Sequence, residues 1–234
     1  MAVAVMVQRI LALDTATEAC SAALAVGDAV LADSVISPRG HTARVLPMVK
    51  ALLAEAGISL AALDGLAWGC GPGSFTGLRI GTSVVQGLAL SHDLPVAPVS
   101  NLEMLAQGGW RAVGAARVVA ALDARMGEVY WAGYEIGEDG LMHPVARARV
   151  CAPEATPCVV RGEGWWGVGR GWGAYGDALA RQQGELAGTL PEAVPLARDA
   201  LARARQVLRD GEGVSAEQAQ PVYLRNRVAE KPRA

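Results

Sequence analysis

The polar side chains with the clearest chemical potential follow the first apolar run of the chain. Asp14 is followed by Thr15 and, after one alanine, by Thr17. A carboxylate beside two hydroxyls can contact a nucleotide phosphate or a metal ion. The same residue types also form turns in which side-chain oxygens accept hydrogen bonds from nearby backbone N–H groups. The sequence leaves both interpretations open, a nucleotide site and a capped turn.

A second candidate is the glycine-rich run 69–81, which joins a predicted buried strand (65–70) to a predicted helix (78–90). Backbone N–H groups at such a turn, together with the partial positive charge of a helix N-terminus, can cradle an anion. The run lacks the lysine of a Walker loop and the GxGxxG spacing, and glycine equally permits close backbone packing. Packing and anion binding both stay open. The anion-contacting candidates are Gly71, Gly73, Ser74 and Thr76.

Other catalytic chemistry has little support in the residue inventory. The four cysteines form no CxxC motif, and the three histidines show no HxxxH spacing, so a zinc site is not expected. The chain contains neither HExxH nor GxSxG. Ser74 has no assignable base, because His41, His92 and His143 are scattered along the chain. We therefore predict no catalytic residue and no metal ligand.

The composition indicates a folded protein that does not bind nucleic acid alone. The chain has 234 residues, 52% of them apolar, which is enough for one large domain or two small lobes. The net charge is −2 and no basic block stands out. Residues 1–13 are apolar but have no basic start or cleavage site, so we predict a strand rather than a signal peptide or membrane span. Reduced thiols and a cytoplasmic location are expected.

The elements that must position these candidates follow a recognisable order. The patterns predict strands over 9–15, 20–26, 29–36, 65–70 and 96–99, and helices over 41–56 and 78–90, with a further short helix capped by 100–101. Three strands, a helix, a strand, a helix and a strand is an order similar to the ribonuclease-H-like half of the actin, hexokinase and Hsp70 class. We therefore predict an α/β fold of that ATPase class, with mixed sheets flanked by helices.

A second copy of this unit begins near residue 109. At 12–14 an apolar run ends in an aspartate, and a turn and an apolar strand follow. The same pattern recurs at 121–123, where Asp123 and Arg125 predict an ion pair across a turn. We expect lobes at 1–108 and 109–234, with the segment 215–234 packing back on lobe one. In lobe two, 158–161 is strand-like, and 174–183 and 193–208 are predicted helices. The indoles of Trp165, Trp166 and Trp172 either stack on a nucleic-acid base or cover a thin core.

The two helices of lobe one carry more apolar surface than one sheet covers. A surface helix usually has about half of its circumference polar. In the helix 41–56 apolar side chains occupy most of the circumference, and in 78–90 the polar residues form one narrow stripe. The excess predicts a partner, and Gly81 and Gly87 leave room for another helix. The residues predicted to form the interface are His41, Val45, Leu46, Val49, Leu53, Leu78 and Val85.

Four stretches together resemble the TsaB (YeaZ) family of bacterial tRNA threonylcarbamoyladenosine biosynthesis proteins. They are 10–21, 71–81, 122–131 and 221–226, and the likeness spans nearly the whole chain, with 147–215 loosely matched. The resemblance implies an ATPase fold without catalysis, which pairs with the catalytic paralogue TsaD and is joined by the ATPase TsaE. It implies a homodimer when alone, contact with tRNA only through the complex, no membrane attachment, and nucleotide loops that are relics with at most weak ATP or ADP binding.

Two rival functions stay open at this point. One is an independent ATP-dependent enzyme or peptidase that uses a cleft between the lobes, with Asp14 and the glycine run at its centre. The other is direct tRNA binding through Arg225, Arg227, Lys231 and Arg233 in the basic tail.

Overall fold

A computed structural model describes residues 7–225 as two lobes, each built on a five-stranded sheet. The strands are β1 (Arg9–Asp14), β2 (Ala19–Val26), β3 (Ala29–Ile36), β4 (Gly65–Gly71), β5 (Val96–Ser100), β6 (Arg117–Arg125), β7 (Glu128–Ile136), β8 (Met142–Cys151), β9 (Trp165–Val168) and β10 (Gly188–Leu190). The helices are α1 (His41–Glu55), α2 (Phe75–His92), α3 (Asn101–Val113), α4 (Arg170–Gln183) and α5 (Leu201–Arg209).

The two sheets have the same topology. Their strand orders are β3-β2-β1-β4-β5 and β8-β7-β6-β9-β10. In each sheet the first three strands form an antiparallel meander, and the last two run parallel to the first. The predicted tandem α/β fold is therefore confirmed. The lobes differ in their first crossover, because α1 joins β3 to β4, whereas the corresponding stretch of lobe two contains the short 3-10 turn Pro153–Ala155.

Strand β1 is the central strand of the sheet in lobe one. Its residues from Ile10 to Asp14 are all buried, as is usual for a strand covered on both faces. One face packs against α1 and α2 in a core that includes Leu11, Leu13, Val45, Leu52, Trp68 and Val85. The N-cap of α2 is Ser74, whose side chain accepts a hydrogen bond from the Gly77 backbone N–H.

The last helix of each lobe covers the sheet of the other lobe. Helix α3 follows β5 but packs mainly against β6, β7 and β8, whereas α5 follows β10 and packs against β1, β4 and β5. The Leu208 side chain lies over Gly65, where a Cβ would come within 2.7 Å of it. Val214 then exchanges backbone hydrogen bonds of 2.9 Å with Val96. The chain thus returns to lobe one at Val214, one residue before the expected segment 215–234. Residues 226–234 of that segment, with the predicted tRNA contacts Arg227, Lys231 and Arg233, lie outside the described residues.

Two element predictions in lobe two were wrong. The stretch 158–161 is not a strand, because the side-chain amide of Gln183 takes the place of a neighbouring strand and accepts from the Val159 N–H at 3.1 Å. The predicted helix 193–208 is a 3-10 turn at Ala197–Ala200 followed by α5. Asp199 in that turn is held by the guanidinium of Arg111 at 2.6 Å.

The tryptophans of lobe two belong to its core. Trp165 and Trp172 are 2% and 4% exposed and pack with Trp131 and Leu179. Trp166 is half-buried and lies over the backbone of β10 at Gly188. Of the two alternatives for these indoles, the packing role therefore fits and base stacking does not.

Candidate functional site

Asp14 joins the ends of neighbouring elements inside lobe one. Its carboxylate accepts from the Asn101 side-chain amide at 2.6 Å and from the Ala16 N–H at 3.3 Å. The carbonyl oxygen of the same Asn101 amide accepts from the Gly71 N–H at 2.8 Å. The space for this pair exists because β4 has glycine at position 69, where a Cβ would lie 1.9 Å from the Asp14 carboxylate. Asp14 therefore ties β1 to β4 and to the start of α3.

Burial changes the protonation of this carboxyl group. Asp14 is 1% exposed, and desolvation raises its pKa to about 7, against the opposing effect of its two hydrogen bonds. The side chain does not line the cleft between the lobes. As folded, the structure fits the capped-turn interpretation of Asp14 rather than direct contact with a ligand.

The neighbouring hydroxyls are also engaged within lobe one. Thr15 donates its hydroxyl hydrogen to the backbone carbonyl of Gly77 at 2.7 Å, and it is buried. The Thr17 hydroxyl oxygen accepts from the Ala19 N–H at 3.3 Å, which closes the turn between β1 and β2. These contacts hold α2 and the first hairpin together.

The glycine-rich run packs tightly against the end of β1. A Cβ at Gly73 would lie 2.5 Å from the Ala16 carbonyl oxygen, and one at Gly77 would lie 2.1 Å from the Thr15 carbonyl oxygen. The Ser74 N–H donates to Ala16 at 2.7 Å. Both glycines are thus required for the close approach of α2 to β1, as the packing interpretation predicts.

A cleft of about 1000 Å³ separates the two lobes. Of the seven predicted nucleotide contacts, those that line it are Thr17, Gly73, Ser74 and Thr76, whereas Asp14, Thr15 and Gly71 do not.

One arginine on the cleft walls forms ion pairs with two glutamates. Arg170 of lobe two binds Glu18 of lobe one at 2.7 Å and Glu192 at 3.4 Å. The predicted ion pair of Asp123 with Arg125 is present at 2.9 Å.

Residues 7–225 offer neither a cluster of metal ligands nor a membrane-spanning helix. No three His, Cys, Asp or Glu side chains of this part of the chain cluster closely enough to hold a metal ion. Nor does any helix in it combine the length and the apolar character needed to cross a membrane.

Four of the predicted interface residues lie in the core of their own lobe. Val45, Val49, Leu78 and Val85 are at most 2% exposed, so that part of the prediction was wrong. The three valines pack in the core that α1 and α2 share with the sheet.

The remaining predicted interface residues differ in exposure. His41 is buried, with its Nε2 2.8 Å from the Thr17 carbonyl oxygen. Leu53 is half-buried, and Leu46 is 41% exposed.

An apolar groove of about 470 Å³ follows the outer side of α1 and α2. We call it the α1–α2 groove; its walls are Thr42, Phe75, Thr76, Arg79, Ile80, Ser83 and Val84. Leu46 lies one helical turn beyond Thr42 on α1. The guanidinium of Arg79 stacks over the ring of Phe75 at 4.0 Å.

The two helix glycines have different roles. A Cβ at Gly87 would meet open space, so this position leaves the outer face of α2 free. A Cβ at Gly81 would lie 2.8 Å from the Thr15 hydroxyl, so its small size serves internal packing and not a partner, contrary to expectation. The spacing Ile80, Val84, Gly87 along α2 was the available signal for the exposed face.

Comparisons with known proteins agree with this architecture. Residues 30–156 match the family model described as TsaD: tRNA N6-adenosine threonylcarbamoyltransferase. Proteins named tRNA threonylcarbamoyladenosine biosynthesis protein TsaB are similar over nearly the whole chain. The one from Escherichia coli (strain K12) is 49% identical over 95% of this chain and 97% of its own length. The one from Haemophilus influenzae is 39% identical over 95% of both chains.

The fold comparison leads to the same family. A solved structure described as YeaZ from Pseudomonas aeruginosa superposes with a TM-score of 0.87 at 45% sequence identity, covering 93% of this chain and all of that one. Sequence similarity at this level over this length leaves one assignment, which the fold supports: the chain belongs to the TsaB family.

Proposed function

We propose that this chain is a non-catalytic scaffold subunit, required in the cytoplasm for threonylcarbamoyl transfer to the adenosine next to the anticodon of tRNA. It acts by pairing with the catalytic paralogue TsaD and by recruiting TsaE, and tRNA meets it only within that complex. The names of its relatives, which refer to biosynthesis of the threonylcarbamoyladenosine modification, support the pathway.

The observation that carries the proposal is the α1–α2 groove. Its apolar side chains, Phe75, Ile80 and Val84, come from α2, and Thr42 lines it from α1; the Phe75 ring and the Arg79 guanidinium stack on each other in its wall. Aromatic and arginine side chains beside an apolar centre are enriched at protein interfaces. Leu46 and the open position at Gly87 extend the same surface.

The match to the TsaD model favours a paralogue as the occupant. The matched residues, 30–156, include the whole of α1 and α2. A paralogue with corresponding helices can present a corresponding face, so the two proteins can pair about a pseudo-twofold axis. A second copy of this chain would fit the same face when the paralogue is absent, which accounts for the expected homodimer.

The scaffold role is supported by how lobe one uses its polar groups. The side chains predicted for nucleotide contact at Asp14 and Thr15 are buried and hydrogen-bonded within the lobe. A group engaged in this way contributes to the fold and is not free to bind a phosphate. The chemistry of the complex is therefore assigned to its partner.

The test alters the surface that adjoins the groove without disturbing the fold. The double variant Leu46→Asp, Gly87→Arg changes two outward-facing positions and avoids Val49, which is buried. We expect a folded monomer whose affinity for TsaD falls about 100-fold, because a charge and a bulky cation enter an apolar contact. Size-exclusion chromatography and co-purification measure both effects.

The matched control is Val145→Asp on the exposed part of β8 in lobe two. It introduces an aspartate, as at position 46, at an apolar position that is 51% exposed, against 41% for Leu46, and should leave pairing intact. Co-purification of the double variant with TsaD at the wild-type level would show that the partner uses another surface.

The rival proposal is an independent ATP-dependent enzyme or peptidase, and the cleft of about 1000 Å³ is the observation that favours it. We expect the purified chain to bind ATP or ADP at most weakly, with a Kd above about 1 mM, because two of its predicted contacts are engaged internally. Calorimetry and an ATP-turnover assay on the single chain test this. ATP turnover lost in Asp14→Asn would favour the enzyme.

A further inference from the structure

The last described residues form a strap, defined here as 219–225, that crosses from lobe one to lobe two. Its start is fixed to lobe one, where the Gln86 side-chain amide donates to the Ala219 carbonyl at 3.0 Å. Farther along, the Val222 N–H donates to the Cys70 carbonyl at the end of β4 at 2.7 Å. The strap therefore continues along the edge of the glycine-rich run.

Aromatic packing holds the middle of the strap. The Tyr223 ring lies 5.5 Å from the Phe75 ring, between centroids, and the Arg79 guanidinium donates to the Tyr223 hydroxyl at 3.5 Å. An added Cβ at Gly71 would come within 2.3 Å of the Val222 carbonyl oxygen. Glycine at position 71 thus lets the strap lie directly on the loop.

The end of the strap is fixed to lobe two. The Arg225 guanidinium forms an ion pair with Glu128 at the start of β7 and also donates to the Arg125 carbonyl at 3.4 Å. The Arg225 side chain is 17% exposed, so the pair is screened less than an exposed one. Val222, Tyr223, Leu224 and Arg225 all line the cleft.

We propose that the strap is a clasp between the lobes, in which the pairing of Arg225 with Glu128 sets the width of the cleft. The ion pair of Arg170 with Glu18 ties the lobes from the other wall of the cleft. On the far side of the molecule, Arg203 of α5 donates to the Met142 carbonyl of lobe two. Because α5 packs on lobe one, that contact closes the far side and leaves the cleft side for the strap to control.

The proposal goes beyond pairing with TsaD, because it concerns motion within one chain. It gives the strap a mechanical role that does not depend on whether a ligand enters the cleft. Loss of the clasp should increase the spread of lobe orientations while each lobe keeps its own core.

The experiment measures the distance across the cleft by electron spin resonance. Labels are attached through Arg39→Cys in lobe one and Ala174→Cys in lobe two, which are exposed residues on opposite walls. Cys151 and Cys158, which are at least partly exposed, are first replaced by serine. The full chain is used throughout.

With the clasp intact we expect one narrow distance distribution. Arg225→Gln keeps a polar side chain but shortens it and removes its charge, and the ratio of wide to narrow distances should rise about fivefold or more. Glu128→Gln should give the same result from the other partner. The exchanged pair Arg225→Glu, Glu128→Arg should restore the narrow distribution.

The control is Arg209→Gln, which removes an exposed arginine from the end of α5 and should leave the distances unchanged. Circular dichroism verifies that every variant is folded. An unchanged distribution in folded Arg225→Gln and Glu128→Gln would overturn the proposal. So would a broadened distribution that the exchanged pair fails to narrow, since the effect would then not come from this ion pair.

Discussion

The two lobes place an aspartate at the same position of the same topology, with opposite results. Asp14 ends β1 in the interior of lobe one, bound to Asn101. Asp123, near the end of β6, is part of a hairpin tip, where it accepts from the Arg125 N–H at 2.8 Å and pairs with its guanidinium. The strand order thus sets the position of the aspartate in the sheet. The element that follows the strand determines whether the carboxylate is buried or exposed to solvent.

A second difference concerns the crossover helices. Lobe one has α1 beside α2, and together they form the α1–α2 groove. In lobe two, the chain between β8 and β9 contains only a 3-10 turn among its described residues 152–164. The surface proposed for a partner therefore belongs to lobe one alone.

The lobes agree in how their glycines are used. In lobe two, Cβ atoms at Gly169 and Gly171 would lie 2.3 and 2.9 Å from the Ala121 carbonyl oxygen. Gly73 and Gly77 make the corresponding approach in lobe one. The repetition shows that glycine is needed wherever the helix after the fourth strand meets the first strand.

The largest effect should come from the ionisation of Asp14. An unfolded aspartate ionises near pH 4, whereas folded Asp14 has a pKa of about 7. Between these values the folded state holds a proton that the unfolded state has lost, so stability falls as pH rises. From pH 4 to 8 this group should cost about 4 kcal/mol in the free energy of unfolding.

The variant Asp14→Asn removes that dependence. Urea titrations at pH 4, 6 and 8 should show the stability gap between wild type and variant narrowing as pH rises. Gly87→Ala, which changes no ionisable group, is the control and should track the wild type in its pH dependence. A gap for Asp14→Asn that stays constant would mean that folding does not change the pKa of this carboxyl group.

The second largest effect on stability should distinguish two glycines of α2, one packed against the end of β1 and one facing solvent. Gly77→Ala should destabilise the protein by about 3 kcal/mol, because its Cβ would press on the Thr15 carbonyl. Gly87→Ala, on the outer face of the same helix, should stabilise it by about 0.5 kcal/mol through helix propensity. Thermal unfolding measures both, and equal melting temperatures for the two variants would refute the packing role.

The smallest effect should come from the aspartate of lobe two. Asp123→Ala breaks a hydrogen bond and an ion pair whose arginine is largely exposed. We expect a loss of about 1 kcal/mol or less, since water replaces both partners. A loss similar to that of a buried core residue in urea titrations would show that the hairpin tip supports the whole lobe.

Local patterns in the sequence predicted the fold of lobe one well. The strand at 29–36 and the start of the helix at His41 agree with the structure, and the repeated aspartate pattern predicted the second lobe. These features are determined by residues close together in the sequence, so the periodicity of apolar residues predicts them.

The site was predicted less well, because its contacts are distant in sequence. No local pattern shows that Asn101 would bind Asp14 across the sheet. On α1, apolar residues surround the axis, so the pattern could not tell that Val45 and Val49 face the sheet while Leu46 faces outward. The direction depends on which side of α1 packs against the sheet, and this is a contact between residues distant in sequence.

The exchange of final helices between the lobes also has a consequence for synthesis on the ribosome. The sheet of lobe one is complete once residue 100 has emerged, yet the helix that shields one of its faces ends at residue 209. Ala12, Ala67 and Ala97 on that face therefore stay exposed to water for about half of translation. The nascent protein must either tolerate an uncovered apolar face or find a chaperone for it, and its modest alanine-rich character limits the risk of aggregation.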